Sequence, residues 1–206
     1  MSVTFNIREA AAIADVSLET IRTAMEKKVL RASSRRKTEG SVRYGFSVRD
    51  ILFLKLLAEF PFALSMADKD ALKQIVVKKR VNAQRWRRQG SDLIYSVPDV
   101  NVVIECKRLR SELAKNIGLM RWGKRRIISD PEIISGTPVF RGTRIALEQI
   151  AGLFRKNIPL SEIVEDYPRI SERDREYAKL YARMGPGPGR PKKPIELRRT
   201  RKTKAA

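Results

Sequence analysis

Between Ser129 and Ile145 the chain cannot run as one regular element, and this limits what can be built around it. Asp130-Pro131, Gly136-Thr137-Pro138 and Gly142 interrupt extended, β-branched segments, so the stretch reads as a turn-rich arm. Helical spacing begins straight after it, with Leu147, Ile150, Ala151 and Phe154. Asn157 tolerates a left-handed position and is placed to end that helix. Three helices are expected, over 147–156, 160–166 and 171–183, within a unit spanning 127–184. Ile163, Val164 and Tyr167 should meet Ile150 and Phe154, with Tyr177, Leu180 and Tyr181 closing the core. The last helix carries a mixed face, Glu172, Arg173, Asp174, Arg175 and Glu176. Its acids would be repelled by phosphate, so this helix-turn-helix-like bundle is expected to face a partner or a second copy. Gly185-Pro186-Gly187-Pro188-Gly189 cannot continue a helix, and 185–206 is expected to be a disordered basic tail.

Upstream, residues 1–64 have a different character. Ile7 to Ala14 is a short Ala-rich helix, Asp15-Val16-Ser17 breaks it, and Ser17 can N-cap a second helix to about Lys27. Ala10, Ala11, Ile13, Val16, Ile21 and Met25 supply the packing set. The outward face of the second helix is read as Glu19, Thr20, Arg22, Thr23, Glu26 and Lys27, types suited to base edges and phosphates in a major groove. Arg35-Arg36-Lys37, then Gly40, then Val42-Arg43-Tyr44-Gly45-Phe46 reads as a basic loop returning into a short aromatic strand. Ser47 and Asp50 resemble a capping box opening a helix to about Phe60.

Residues 65–126 read as a connecting region of helix and strand. Ser65 and Asp68 can cap a helix to about Lys79, and Leu93 to Val97 reads as a strand. Arg85-Trp86-Arg87-Arg88 is taken as a surface loop with Trp86 partly buried, since no repeat of aromatics supports a base-stacking platform. From Asp99 to Met120 the stripe Val103, Cys106, Leu109, Leu113, Ile117, Met120 predicts a helix, although Val102-Val103-Ile104 would equally suit a strand. Trp122-Gly123-Lys124-Arg125-Arg126 reads as a junction.

Charge narrows the function. The chain carries 44 Lys and Arg against 23 Asp and Glu, a formal +21, which points to a polyanionic partner: nucleic acid first, a membrane surface more weakly since no basic amphipathic helix stands out, with an acidic protein also fitting. With no histidine, the commonest general base and zinc ligand is missing, and the single Cys106 permits neither an intrachain disulfide nor a thiolate metal site. Cys106 is expected to be a buried thiol on a helix. No apolar run approaches the ~20 residues of a membrane span. The expectation is a cytoplasmic, non-enzymatic protein without metal or cofactor.

Two resemblances sharpen this. The order helix, turn, helix, basic wing, Arg43-Tyr44 and Ser47-x-x-Asp50 resembles a MerR-type winged helix-turn-helix. That resemblance implies DNA binding through Ser17, Thr20, Arg22, Thr23, Lys27, Arg35, Arg36, Lys37, Arg43 and Tyr44. Downstream, Ser129-Asp130-Pro131-x-Ile133, Gly136-x-Pro138, Gly142-Thr143-Arg144-Ile145 and Tyr167-Pro168-x-Ile170 resemble a small domain-of-unknown-function family with a G-T-R-I core, which occurs in VapB-like antitoxins. The chain departs from that pattern at Ala146, Asn157 and Pro159. The resemblance implies a type II antitoxin that silences a PIN-like ribonuclease toxin and represses its own operon by binding operator DNA. Toxin contacts are then expected from Arg190, Lys192, Lys193, Arg198 and Arg199 of the tail, with Arg190 foremost, because a guanidinium could pair with the carboxylates of a nuclease metal site. Gly189-Arg190-Pro191 also resembles half of an AT-hook, with Pro188 where the leading Arg would stand. Arg141 and Arg144 are expected either at the toxin or on an internal carboxylate or carbonyl. The competing expectation is a stand-alone MerR-like transcription regulator. The expected fold is mainly α with short β segments: a winged helix-turn-helix, then a three-helix domain with a β arm. A homodimer is expected from the symmetry of helix-turn-helix operators.

Overall fold

The computed structural model describes residues 4–38, 41–60, 62–78, 85–98 and 100–185, and the architecture is mainly α with short strands. Helix α1 (Ile7–Ala14) starts at a capping box: Asn6 accepts the N–H groups of Arg8 and Glu9, and Glu9 accepts that of Asn6 at 3.1 Å. Its alanines are buried, which lets neighbouring helices approach closely. Asp15, left-handed at φ 59°, turns the chain into α2 (Leu18–Glu26), where Ser17 Oγ accepts the Thr20 N–H at 3.0 Å as expected. Ile21 is buried at the crossing.

Strands β1 (Ser34–Thr38) and β2 (Ser41–Gly45) form an antiparallel hairpin. Its base is tight: a Cβ on Gly45 would stand 2.3 Å from Ser34 Oγ. Phe5 and Phe46, both buried, exchange backbone hydrogen bonds and tie the hairpin to the segment before α1. The Ser47–Asp50 capping box opens α3 (Val48–Ala58), and the same buried carboxylate also accepts the Ser33 hydroxyl. One acid therefore starts a helix and anchors the hairpin.

Ser65 caps α4 (Met66–Lys78), and the buried Asp68 accepts the hydroxyls of Ser65 at 2.6 Å and Tyr95 at 3.0 Å. Two expectations for the middle region need correction, and one left open is decided. The segment read as a loop around Trp86 is a strand, β3 (Trp86–Gln89), paired with β4 (Asp92–Val97). Trp86 points inward, only 1% exposed, and packs on Phe60 and Tyr95 at centroid distances of 5.5 and 4.9 Å, while Arg87 and Arg88 stay in solvent. Of the two readings open at Val102-Val103-Ile104 the strand holds: β5 (Val100–Ile104), rich in β-branched residues, completes an antiparallel meander, so Val103 leaves the helical stripe. Finally, α5 (Cys106–Arg126) runs without a break through the segment read as a junction. The rest of the stripe, from Cys106 to Met120, is buried.

Strand β6 (Ile127–Ile128) pairs with β7 (Val139–Phe140), closing the arm on itself. Helices α6 (Leu147–Arg155), α7 (Leu160–Asp166) and α8 (Glu172–Ala182) follow at the expected places, and Asn157 is left-handed at φ 57°. Val164, assigned to the core, is 40% exposed, because α7 buries only Ile163. Helix α5 is the spine, packing on α1, α3 and β4 and, near its end, on α8. The α8 contact needs Gly123: a Cβ there would stand 2.0 Å from the Tyr177 ring. Burial, with Tyr181 and Glu9 nearby, pushes the Tyr177 hydroxyl up to about 12, so it stays neutral at this crossing.

Candidate nucleic-acid interface

The residues assigned to one outward face of α2 divide into two stripes. Thr20, Thr23 and Lys27 lie along one side and line a cleft of about 370 Å³ with Phe62 and Leu64. Arg22 lies on the other side with Glu19 and Glu26, and all three are exposed. Ser17 and Thr20 are committed to the helix start, their hydroxyl oxygens 2.8 Å apart, although both remain open to solvent. Sequence periodicity gave the helix but not its rotation, which is set by the buried Ile21 and by the approach of the segment around Phe62.

The hairpin is the denser basic surface. Its register sets Arg36 directly opposite Arg43, Arg35 opposite Tyr44 and Lys37 opposite Val42. Because side chains alternate along a strand, Arg36 and Arg43 share one face while Arg35 and Lys37 share the other with Tyr44. All four cations are exposed, and none forms an ion pair among the described residues. Like charges directly opposite across a strand pair oppose hairpin formation. Several acids are engaged elsewhere: Glu59 and Glu112 with Arg108 at 2.8 Å each, Glu9 with Lys124 at 2.8 Å, Glu176 with Lys115 at 2.7 Å. Positive potential is thus left without a paired acid on the hairpin, whereas Arg22 shares its side of α2 with Glu19 and Glu26.

In the second half the largest departure from expectation is Asp174. Assigned to the exposed mixed face of α8, it is fully buried and takes the Arg126 fork at 2.8 and 3.1 Å. Burial pushes this carboxyl up, but the Arg126 guanidinium and the Ser171 hydroxyl and N–H outweigh it, leaving it below the ordinary carboxylate value. Arg126 also donates to the Arg141 carbonyl at 2.7 Å, joining the end of α5, the arm and α8. The sequence signal for Asp174 is Ser171-x-x-Asp174, a capping box. Arg141 and Arg144 are exposed, with no carboxylate or carbonyl partner for either side chain among the described residues, so the internal-partner alternative falls. Beside them Ile134, Ser135 and Gly136 all have positive φ, and Ile134 is exposed. A β-branched residue in that region is a backbone outlier. Arg190, Lys192, Lys193, Arg198 and Arg199 lie outside the described residues. The tail's point of departure is described: Arg8 donates to the Met184 carbonyl at 2.7 and 2.9 Å and to that of Gly185 at 2.6 Å, beside α1.

Residues 127–182 match a family described as a protein family of unknown function, DUF433. The match begins where β6 begins and ends where α8 ends, about a quarter of the chain. No curated protein and no solved structure matches the chain. No helix among the described residues is long and apolar enough to cross a membrane.

Proposed function

We propose that this protein is a DNA-binding antitoxin: its N-terminal unit holds operator DNA and its C-terminal half, with the tail, holds a PIN-like ribonuclease toxin. The observation that carries the DNA reading is the hairpin, where Arg36 and Arg43 are held opposite one another with no acid to pair them. A phosphate between two such guanidiniums would turn a repulsion into charge-assisted hydrogen bonds. In this reading α1, α2 and the hairpin form a MerR-type winged helix-turn-helix, with Arg22 reaching the major groove from α2 and the hairpin gripping the backbone. Arg22→Ala is then expected to weaken operator binding in a gel shift and leave toxin binding unchanged; an unaffected shift would move the groove contact off α2.

The toxin reading rests on the G-T-R-I resemblance and on the arm, where Arg141, Arg144 and Ile134 are exposed and neither arginine side chain has a carboxylate or carbonyl partner among the described residues. It is tested by co-purifying the chain with the product of the neighbouring reading frame and measuring RNA cleavage with and without it. A second reading, the stand-alone regulator with a DNA-gripping tail, is favoured by the anchoring of Met184 and Gly185 beside α1. A full chain that neutralises no neighbouring gene product would favour this second reading, and deleting residues 186–206 assigns the tail to toxin or to DNA. Loss of neutralisation with operator affinity intact is the expected result; retained neutralisation with weakened, less salt-dependent DNA binding would assign the tail to DNA.

A further inference from the structure

The three-stranded sheet has two outer strands of opposite character. On one side β3 carries Arg87 and Arg88, both exposed, and charge of this kind discourages pairing along an edge. On the other side β5 reads Val-Asn-Val-Val-Ile, without a charge, a proline or a glycine. Val100 and Val103 are 52% and 59% exposed, among the most exposed large apolar side chains described. Among the described residues nothing hydrogen-bonds to β5 except β4 on its inner side. An uncharged, β-branched edge strand is a template for another strand.

We propose that β5 pairs antiparallel with β5 of a second copy, about a two-fold axis at Val102, to make one continuous sheet of six strands. Two features select a second copy over another partner. A chain of net charge +21 repels itself, so copies can meet closely only on a surface without cations, and β5 is such a surface. The strand is also self-complementary: pairing about Val102 sets Val100 against Ile104 and Asn101 against Val103. Opposed residues then keep the same face, so Val103, which stands on the solvent side of the sheet with Ile94, is covered by its neighbour's strand without turning the core face outward. The contact is isologous and closes at two, leaving the charged β3 edges outermost.

The test uses the full chain without DNA or partner, so its outcome is independent of the proposed function. Sedimentation velocity is expected to find a dimer, and amide exchange at Asn101 and Val103 should slow as concentration rises. Val100→Lys with Val103→Lys should weaken dimerisation at least tenfold while leaving circular dichroism unchanged, and Tm too at concentrations where the wild type is monomeric, since both side chains are exposed in the single chain. Val164→Lys, on the exposed side of α7, should leave the dimer intact. A wild-type monomer at the highest soluble concentration would overturn the proposal, as would a dimer that survives the β5 lysines or yields to Val164→Lys.

Discussion

Asp174→Ala should lower stability by about 3–5 kcal/mol, the usual cost of removing one partner from a buried ion pair. For a chain of this size that is a fall in Tm of roughly 6–20 °C. The size of the effect follows from what the carboxylate holds. Asp174 has no exposure, accepts both arms of the Arg126 fork, and caps α8 through Ser171. Its removal strands a guanidinium that is largely out of solvent and uncaps the helix whose Tyr177 lies against Gly123. Asp174→Asn should keep part of the cap and lose the pair, falling between wild type and Ala. The pH dependence has a definite direction. Because the folded carboxyl titrates below its ordinary value of about 4, it binds fewer protons than the unfolded chain there, and its stabilisation is complete above that value. The wild type's advantage over Asp174→Asn should therefore be flat near neutrality and shrink as pH falls below about 4. Thermal melts of the two proteins across that range measure it; an advantage that grows on acidification would mean the pair does not form.

The elements that the sequence disclosed well were those whose signals are local. Caps at Ser17, Ser47 and Ser65, the left-handed Asn157 and the 3.6-residue spacing in α5 and α6 each involve neighbours within one turn. What stayed hidden depended on residues far apart in the chain. Trp86 reads as a loop residue until Phe60 and Tyr95 supply the aromatic cluster that draws it inward. Trp122 to Arg126 reads as a junction until Tyr177 is placed over Gly123 and Asp174 under Arg126. Val103 fits both the helical stripe and a β-branched strand, and its pairing with Ile94 decides for the strand. For the candidate site the residue types were legible but not their distribution. Thr20, Thr23 and Lys27 fall on a different side of α2 from Arg22, and the hairpin register, invisible to composition, is what sets Arg36 against Arg43.

That register allows a purely structural role for the hairpin to be separated from a nucleic-acid role, because only the second predicts a loss of binding. If Arg36 and Arg43 serve only the fold, replacing both by Ala relieves a cross-strand repulsion, and the protein should be as stable as wild type or slightly more so, by a few tenths of a kcal/mol, with no other consequence. If they hold phosphate, the same gain in stability comes with a loss of binding. Charge-assisted hydrogen bonds are worth about 1.5–3 kcal/mol each and about 1.4 kcal/mol is tenfold, so the double variant should bind duplex DNA at least about a hundredfold more weakly. The loss should be similar across sequences, since phosphate contacts position without reading bases. The slope of log affinity against log salt should fall by about 0.9, the value for one phosphate no longer neutralised. Arg35→Ala with Lys37→Ala, on the opposite face of the hairpin, is the matched control: a much smaller loss there would show that the Arg36–Arg43 face meets the backbone. Equal and unchanged affinity in both variants, at unchanged Tm, would remove the hairpin from the interface and leave α2 or the tail to carry the DNA.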